Sequence, residues 1–194
     1  MRFTLKPITP SDARAISRWR YEEPYSIYDG DPTSVDALLQ PRFAYHSVYA
    51  ESGDLAGYFC FGEDAQVASG KRLGLYEIEP ALDVGLGMRP DLTGRGLGEE
   101  FVHAGLRFAR ETYSPPAFRL TVAAFNERAI RVYERAGFEI VERFGAAKRG
   151  AEKEWLLMRR WAYGLPPSST SRKNRRPGCR GYCNQHAPGS SPWY

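Results

Sequence analysis

The sequence contains no long apolar run. No stretch approaches the roughly 18 consecutive apolar residues that a transmembrane helix requires. The first ten residues, MRFTLKPITP, also lack the hydrophobic segment of a secretory signal peptide. These two absences argue against a membrane-spanning or secreted protein and predict a cytoplasmic one.

Cysteine is also scarce, with three residues in a chain of 194. Cys60, Cys179 and Cys183 are too few and too unevenly spaced for a disulfide framework, which fits a reducing compartment. Two of them lie near His186, but their spacing matches no common zinc site and a fourth ligand is missing. We therefore expect no metal site.

Neither sign of charge is in excess across most of the chain. The net charge of +4 arises in residues 164–194, which hold five basic residues and no acid. Residues 1–163 therefore carry 22 basic against 23 acidic side chains, which argues against a basic nucleic-acid-binding domain. The basic tail is rich in Pro, Ser and Gly and poor in large aliphatic residues. We expect a folded domain over residues 1–163 and a disordered tail over 164–194.

The chain does contain enough apolar residues, 42%, for one sizeable core. Its first half predicts a short strand, a helix capped by Ser11 or Asp12, and a second helix over residues 34–39. A hairpin follows, with its turn at residues 52–54. Residues 63–72 are rich in Gly, Ser and charge, and predict a loop.

The second half alternates strands and helices. A strand over residues 82–88 leads through a glycine-rich turn into an amphipathic helix with Phe101 and Phe108 on one face. A strand in FRLTVAAF, a helix capped by Asn126 and ended by Gly137, and strands in FEIVERF and KEWLLMRRW complete the chain. This order predicts a mixed α/β fold with at least one parallel crossover.

Three glycines, Gly94, Gly96 and Gly98, precede the amphipathic helix at alternate positions. A glycine-rich turn at a helix N-terminus presents unpaired N–H groups to an anion, and a diphosphate is its natural ligand. The turn lacks the Gly-Lys-Ser/Thr ending of Walker A. The dinucleotide pattern G-x-G-x-x-G needs a third glycine at position 99, where the chain has Glu99. The pattern G-x-G-x-G therefore remains.

The stretch RPDLTGRGLGEEFVHAGLRFA, followed by LTVAAFNERAIRVYERAGFEIV, resembles the acetyl-CoA-binding core of the GNAT superfamily of N-acetyltransferases. The resemblance is close over roughly residues 80–142, and two linked motifs make it specific. It implies a mixed, mostly antiparallel sheet with a central splayed parallel pair, flanked by helices. It also implies that acetyl moves from acetyl-CoA to a primary amine by direct attack in a ternary complex.

The resemblance assigns coenzyme contacts to two elements of this chain. Backbone amides of the glycine turn would hold the pyrophosphate, and the strand before it would bind the pantetheine arm and supply an oxyanion donor. The chain departs from the family at Thr93, where Arg or Gln is common, so that a charge contact is either lost or supplied by Arg95. The implied coenzyme-binding residues are Leu86, Gly87, Met88, Gly94, Arg95, Gly96, Leu97, Gly98, Glu99 and Asn126.

The resemblance also implies a general acid. Tyr133 matches the tyrosine that often stands beside the coenzyme sulfur, where it would protonate the leaving thiolate; the alternative is an ordinary, partly buried aromatic residue. The candidates for a general base are Glu77, Glu79 and Asp83, each near the splayed strand, and each is equally explained as a solvated charge.

Aromatic residues crowd the segment that borders the acceptor site in this family: Trp19, Tyr21, Tyr25 and Tyr28. Together with Glu22, Glu23 and Asp29 they would suit a cationic amine, although the edge of a hydrophobic helix explains them as well. The expected partners are acetyl-CoA and an amine of a small molecule or a protein, without membrane or nucleic acid; a homodimer is left open. A non-catalytic acyl-CoA sensor or scaffold is the alternative function.

Overall fold

The computed structural model describes residues 2–145 and 153–164. The predicted disordered tail, with Cys179 and Cys183, lies outside the described residues from position 165 onward. Within the described part the strands are β1 Phe3–Pro7, β2 His46–Ala50, β3 Leu55–Phe61, β4 Leu82–Met88, β5 Ala117–Ala123, β6 Glu139–Phe144 and β7 Trp155–Trp161. The α-helices are α1 Pro10–Ile16, α2 Val35–Leu38, α3 Ala68–Arg72, α4 Gly98–Tyr113 and α5 Glu127–Arg135.

The strands form one sheet in the order β1-β2-β3-β4-β5-β7-β6. All neighbouring strands are antiparallel except β4 and β5, which are parallel. β4 pairs with β3 along its length, from Val84 to Met88, but with β5 only at Leu82 and Asp83. The two central strands therefore separate after Asp83, which confirms the predicted mostly antiparallel sheet with a splayed parallel pair.

Local sequence explains where the helices begin. α1 is capped by Thr9, whose side chain accepts from the amide of Asp12 while the Asp12 carboxylate accepts from Thr9. The prediction of Ser11 or Asp12 as the cap was therefore wrong by two or three residues, because the capping box places Asp12 at the third helical position. Asn126 caps α5 as predicted, accepting from the Ala129 amide at 3.1 Å.

The core lies between α4 and the sheet. The Phe101 ring of α4 stacks on Phe59 of β3, with 5.0 Å between centroids, and packs edge-on against Phe3 of β1 at 5.4 Å. All three side chains are buried. A smaller cluster built on Ala13 and Ile16 covers part of the sheet beside α1. The apolar stripe predicted for α4 thus fixes this helix, and the turn before it, against the central strands.

The segment between β3 and β4 is more ordered than its composition predicts. The expected loop over residues 63–72 contains a 3₁₀ turn at Glu63–Ala65 and the helix α3. Tyr76 anchors it, because its hydroxyl accepts from the Val67 amide at 3.1 Å and pairs with the Thr121 hydroxyl of β5 at 2.8 Å. These contacts are long-range, so the local sequence did not indicate them.

Candidate active site

A cleft of about 590 Å³ opens where β4 and β5 separate. Its walls come from β4, the end of β5, the glycine turn with the start of α4, one face of α5, and the connection between α1 and α2. Because β4 has no strand partner on this side beyond Asp83, part of its backbone is free to bind a ligand.

The glycine turn, residues 93–98, closes one end of the cleft. Gly94 and Gly96 adopt φ of +77° and +78°, a region that residues with a Cβ rarely occupy. No side chain caps α4, and among the described residues the amides from Gly94 to Gly98 donate to no backbone carbonyl. The turn thus presents free N–H groups at the positive end of a 16-residue helix, as an anion site requires.

The splayed strand presents its last residue to the cleft. The Arg89 amide donates to Ala56 of β3 at 2.8 Å, so strand alternation directs the N–H and C=O of Met88 the other way. The Met88 carbonyl accepts a hydrogen bond from the Tyr21 hydroxyl at 2.9 Å. The Met88 amide therefore faces the cleft, in the region predicted to supply the oxyanion donor.

Tyr133 and Asn126 line the cleft from α5. Burial, with a smaller contribution from Tyr28, raises the pKa of Tyr133 above its ordinary value of 10.0. The hydroxyl therefore stays protonated at neutral pH and can donate a proton. The Asn126 side chain is buried and its Nδ2 donates to the Tyr28 hydroxyl at 3.3 Å.

The connection between α1 and α2 folds into a closed loop over residues 19–30, here called the tyrosine loop. Its ends are joined by the Gly30 amide donating to the Trp19 carbonyl at 2.9 Å and by Arg20 donating to the Gly30 carbonyl at 2.8 Å. Tyr21, Tyr25 and Tyr28 line the cleft; their role at an acceptor site stays a prediction. Trp19 does not line the cleft, because its ring packs on Tyr58 beside α1.

None of the three carboxylates predicted as candidate bases, Glu77, Glu79 and Asp83, lines the cleft. Asp83 is buried against Arg119, with 2.6 Å between Oδ1 and Nε, and its Oδ2 accepts from Arg119 at 2.8 Å and from Gln66 at 2.6 Å. Glu79 pairs with Arg159 of β7. Asp83 is therefore a buried ion-pair partner of Arg119, apart from the residues that line the cleft.

Among the described residues that line the cleft, the one carboxylate is Asp29. Its Oδ1 accepts from the Tyr21 amide at 2.8 Å, whereas Oδ2 lies 3.8 Å from Arg20 Nε, beyond hydrogen-bond distance. The second oxygen therefore retains accepting capacity toward a cation. Sequence analysis grouped Asp29 with Glu22 and Glu23, but neither of those residues lines the cleft.

The remaining predicted coenzyme residues divide into two groups. Residues 86–88 and the three glycines line the cleft with Asn126, whereas Arg95, Leu97 and Glu99 do not. Leu97 packs on the core, and Glu99 lies 3.3 Å from Arg135. Any contact from these three to a ligand in the cleft would therefore come through their amides.

Sequence analysis missed three arginines of α5 that line the cleft: Arg128, Arg131 and Arg135. Their spacing of three and four residues places them on one helix face, a signal that was present in the sequence. Tyr58 of β3 also lines the cleft and was not predicted, because the residues next to it in the sequence form no motif that indicates a ligand site.

No group of His, Cys, Asp and Glu among the described residues could hold a metal ion. None of the helices in the described ranges has the length and apolar character to cross a membrane.

A family model for the acetyltransferase (GNAT) domain matches residues 2–139. Two curated relatives are mycothiol acetyltransferases. That of Propionibacterium freudenreichii subsp. shermanii is 43% identical over 56 residues, or 29% of this chain, and that of Streptomyces coelicolor is 37% identical over 93 residues, or 44%. The matches span only 18% and 28% of the relatives' own lengths.

Solved structures share the fold at low identity. A chimera of the spermidine N-acetyltransferase SpeG from Vibrio cholerae and hSSAT superposes with a TM-score of 0.63 at 17% identity, covering 84% of this chain and 96% of the other. The spermidine N-acetyltransferase from Vibrio cholerae in complex with CoA and spermine gives 0.57 at 17% identity, covering 83% and 96%. These likenesses support the fold alone.

Proposed function

Because this chain belongs to the GNAT family, we propose that it is an acetyltransferase, which transfers acetyl from acetyl-CoA to a primary amine. The observation that carries this proposal is the cleft between β4 and β5, which ends on the glycine turn before α4. A solved neighbour bound to CoA and an amine, spermine, supports both ligand classes. A cytoplasmic location is part of the same proposal.

The residues of the cleft fit the coenzyme. The glycine turn offers free amides where a Cβ at Gly94 or Gly96 would strain the backbone, and an uncapped helix lies behind it. The unpaired edge of β4 would accept an extended pantetheine chain by backbone hydrogen bonding. Asn126, at the cleft wall, would add a side-chain donor once it leaves Tyr28.

The coenzyme supplies a thioester, and the chain's own residues would handle the charge and the protons. The Met88 amide faces the cleft and would donate to the carbonyl oxygen on which negative charge develops. Tyr133, with its raised pKa, would hold a proton for the departing sulfur. The neutral amine nitrogen would bond to the carbonyl carbon as the carbon–sulfur bond breaks and the sulfur takes the Tyr133 proton. The nitrogen would then release its surplus proton to water in the open cleft, and Tyr133 would regain a proton from the same water.

The tyrosine loop would bind the acceptor. Tyr21, Tyr25 and Tyr28 present aromatic surface, and Asp29 adds a carboxylate with one oxygen available. Burial, with the nearby Asp29 carboxylate, raises the pKa of Tyr21. Its hydroxyl therefore remains a donor to Met88 and keeps the loop against β4. Aromatic rings beside a carboxylate favour an acceptor that carries positive charge.

The test is isothermal titration of acetyl-CoA into the parent protein and into Gly96→Glu, which places a negative side chain in the turn. We expect binding by the parent and its loss in the variant. A thiol-release assay with a panel of amines then identifies acceptors. If the parent binds acetyl-CoA but releases no thiol with any amine, the alternative of an acyl-CoA sensor is favoured. If the parent does not bind, the proposal is refuted.

A further inference from the structure

Arg128, in the first turn of α5, lies between the glycine turn and the tyrosine loop. Its Nη1 is 3.6 Å from the position that a Cβ on Gly94 would occupy. Its guanidinium carbon is 4.5 Å from the centroid of the Tyr25 ring, within the range of a cation–π contact. One side chain therefore spans the two loops that close the cleft, with its charge directly beside the glycine turn.

The family resemblance raised two positions, Thr93 and Arg95, for a charge contact with the pyrophosphate. Neither side chain brings a charge into the cleft. Thr93 carries no charge, and its hydroxyl donates to the Pro90 carbonyl at 2.8 Å. Arg95 lies within the glycine turn but is not among the residues that line the cleft. The side-chain charge next to Gly94 thus comes from a different element of the fold.

The neighbouring arginines differ from Arg128 in their partners. Arg131 pairs with Glu127 at 3.2 Å, and Arg135 pairs with Glu99 at 3.3 Å. Among the described residues no carboxylate pairs with Arg128. Its guanidinium is held by an aromatic face, which leaves its N–H donors available for an anion.

We propose that Arg128 binds the diphosphate of the coenzyme, in place of the Arg or Gln that the family commonly carries in the glycine turn. Planar N–H donors can form two parallel hydrogen bonds with phosphate oxygens, which a lysine cannot match. The contact of Arg128 with Tyr25 holds the guanidinium in place before the ligand arrives. This inference rests on the proposed function, because it requires that the cleft binds CoA.

The experiment titrates the full-length protein with CoA, 3′-dephospho-CoA and pantetheine, using Arg128→Gln, Arg128→Lys and Arg107→Gln. Arg107→Gln is the matched control, since it removes the same charge from an exposed position on α4 outside the cleft. Loss of a charge-assisted hydrogen bond predicts about a tenfold or larger rise in Kd for CoA and 3′-dephospho-CoA with Arg128→Gln. Arg128→Lys recovers part of the affinity, and Arg107→Gln changes it less than about twofold. Pantetheine, which lacks the diphosphate, shows no difference between parent and variants.

A second readout separates binding from folding. Arg128 is exposed and lies near the positive end of the α5 dipole, so Arg128→Gln should not lower the melting temperature. Equal CoA affinity in the parent and Arg128→Gln, or an equal loss in Arg107→Gln, overturns the inference and leaves the proposed function standing. A loss seen with CoA but not with 3′-dephospho-CoA also overturns it, because the 3′-phosphate is then the partner. A parent that binds no CoA refutes the proposed function itself.

Discussion

Replacing Gly96 by alanine tests whether the glycine turn exists to bind an anion. Gly96 adopts φ of +78°, and a Cβ added there would meet nothing within 4 Å. The substitution therefore adds backbone strain without a steric clash. A left-handed conformation costs an alanine roughly 1–2 kcal/mol. Whether this cost lowers the stability of the protein or its affinity for a ligand depends on what holds the turn.

In the absence of a ligand the turn amides donate to no backbone carbonyl, so the alanine variant can relax to negative φ. Binding of a diphosphate would then have to restore the strained conformation. The cost appears in the affinity, and 1–2 kcal/mol corresponds to about a 5- to 30-fold rise in the Kd for acetyl-CoA. Stability to unfolding changes little. Isothermal titration and urea unfolding measure the two effects separately.

Gly53 provides the matched control. It has φ of +88°, open space at its Cβ position, and a place in the β2–β3 turn outside the cleft. That turn is held by hydrogen bonds of 2.9 Å from Gly53 to Ala50 and from Ala50 to Asp54. Gly53→Ala should therefore lose about 1 kcal/mol of stability and keep its affinity for acetyl-CoA. If Gly96→Ala behaves in the same way, the glycine turn is only a turn and the reasoning is refuted.

Three further predictions concern single side chains. Tyr133→Phe should lower kcat about a hundredfold with an unchanged Kd for acetyl-CoA. Because the pKa of Tyr133 is raised, loss of its proton should not reduce the activity of the parent below about pH 10. A decline in parent activity near pH 8 that is absent in Tyr133→Phe would contradict the assignment. Asp29→Asn should raise the KM of a cationic amine about tenfold without changing the KM of acetyl-CoA. Glu22→Gln, which removes the same charge from the same loop outside the cleft, is its control, and equal effects of the two variants would exclude a specific role. Asp83→Asn should lower the free energy of unfolding by about 3–5 kcal/mol, because it leaves Arg119 buried without its partner, and a fully stable but inactive variant would restore Asp83 as a base.

The parts of the site that could be predicted from the sequence are those fixed by local chemistry. Glycines at alternate positions before an apolar stripe determine a turn and the start of a helix, whatever surrounds them. Asn126 could be identified as a cap because its partner, the Ala129 amide, is three residues away. The turn residues at positions 52–54 likewise predicted the hairpin that turns at Gly53.

The parts that could not be predicted depend on long-range contacts. Trp19 and Tyr21 are two residues apart, yet the first packs beside Tyr58 and the second reaches Met88. Their different positions follow from the closure of the tyrosine loop, which joins Trp19 to Gly30. Composition identified an aromatic segment suited to the acceptor, but it could not determine which rings face the cleft.

Asp83 is close in sequence to the residues that line the cleft, but its contacts support the fold there rather than the chemistry. It is the last residue of β4 to pair with β5, and its register partner is Arg119, the same residue that its side chain binds. Backbone and side chains therefore join the two strands at the point where they begin to separate. Arg119 extends this junction by donating to the Tyr76 carbonyl at 2.7 Å. Without the Asp83 carboxylate the Arg119 guanidinium would be buried without its ion-pair partner, so this pair stabilises the junction of β4 and β5 where the cleft begins.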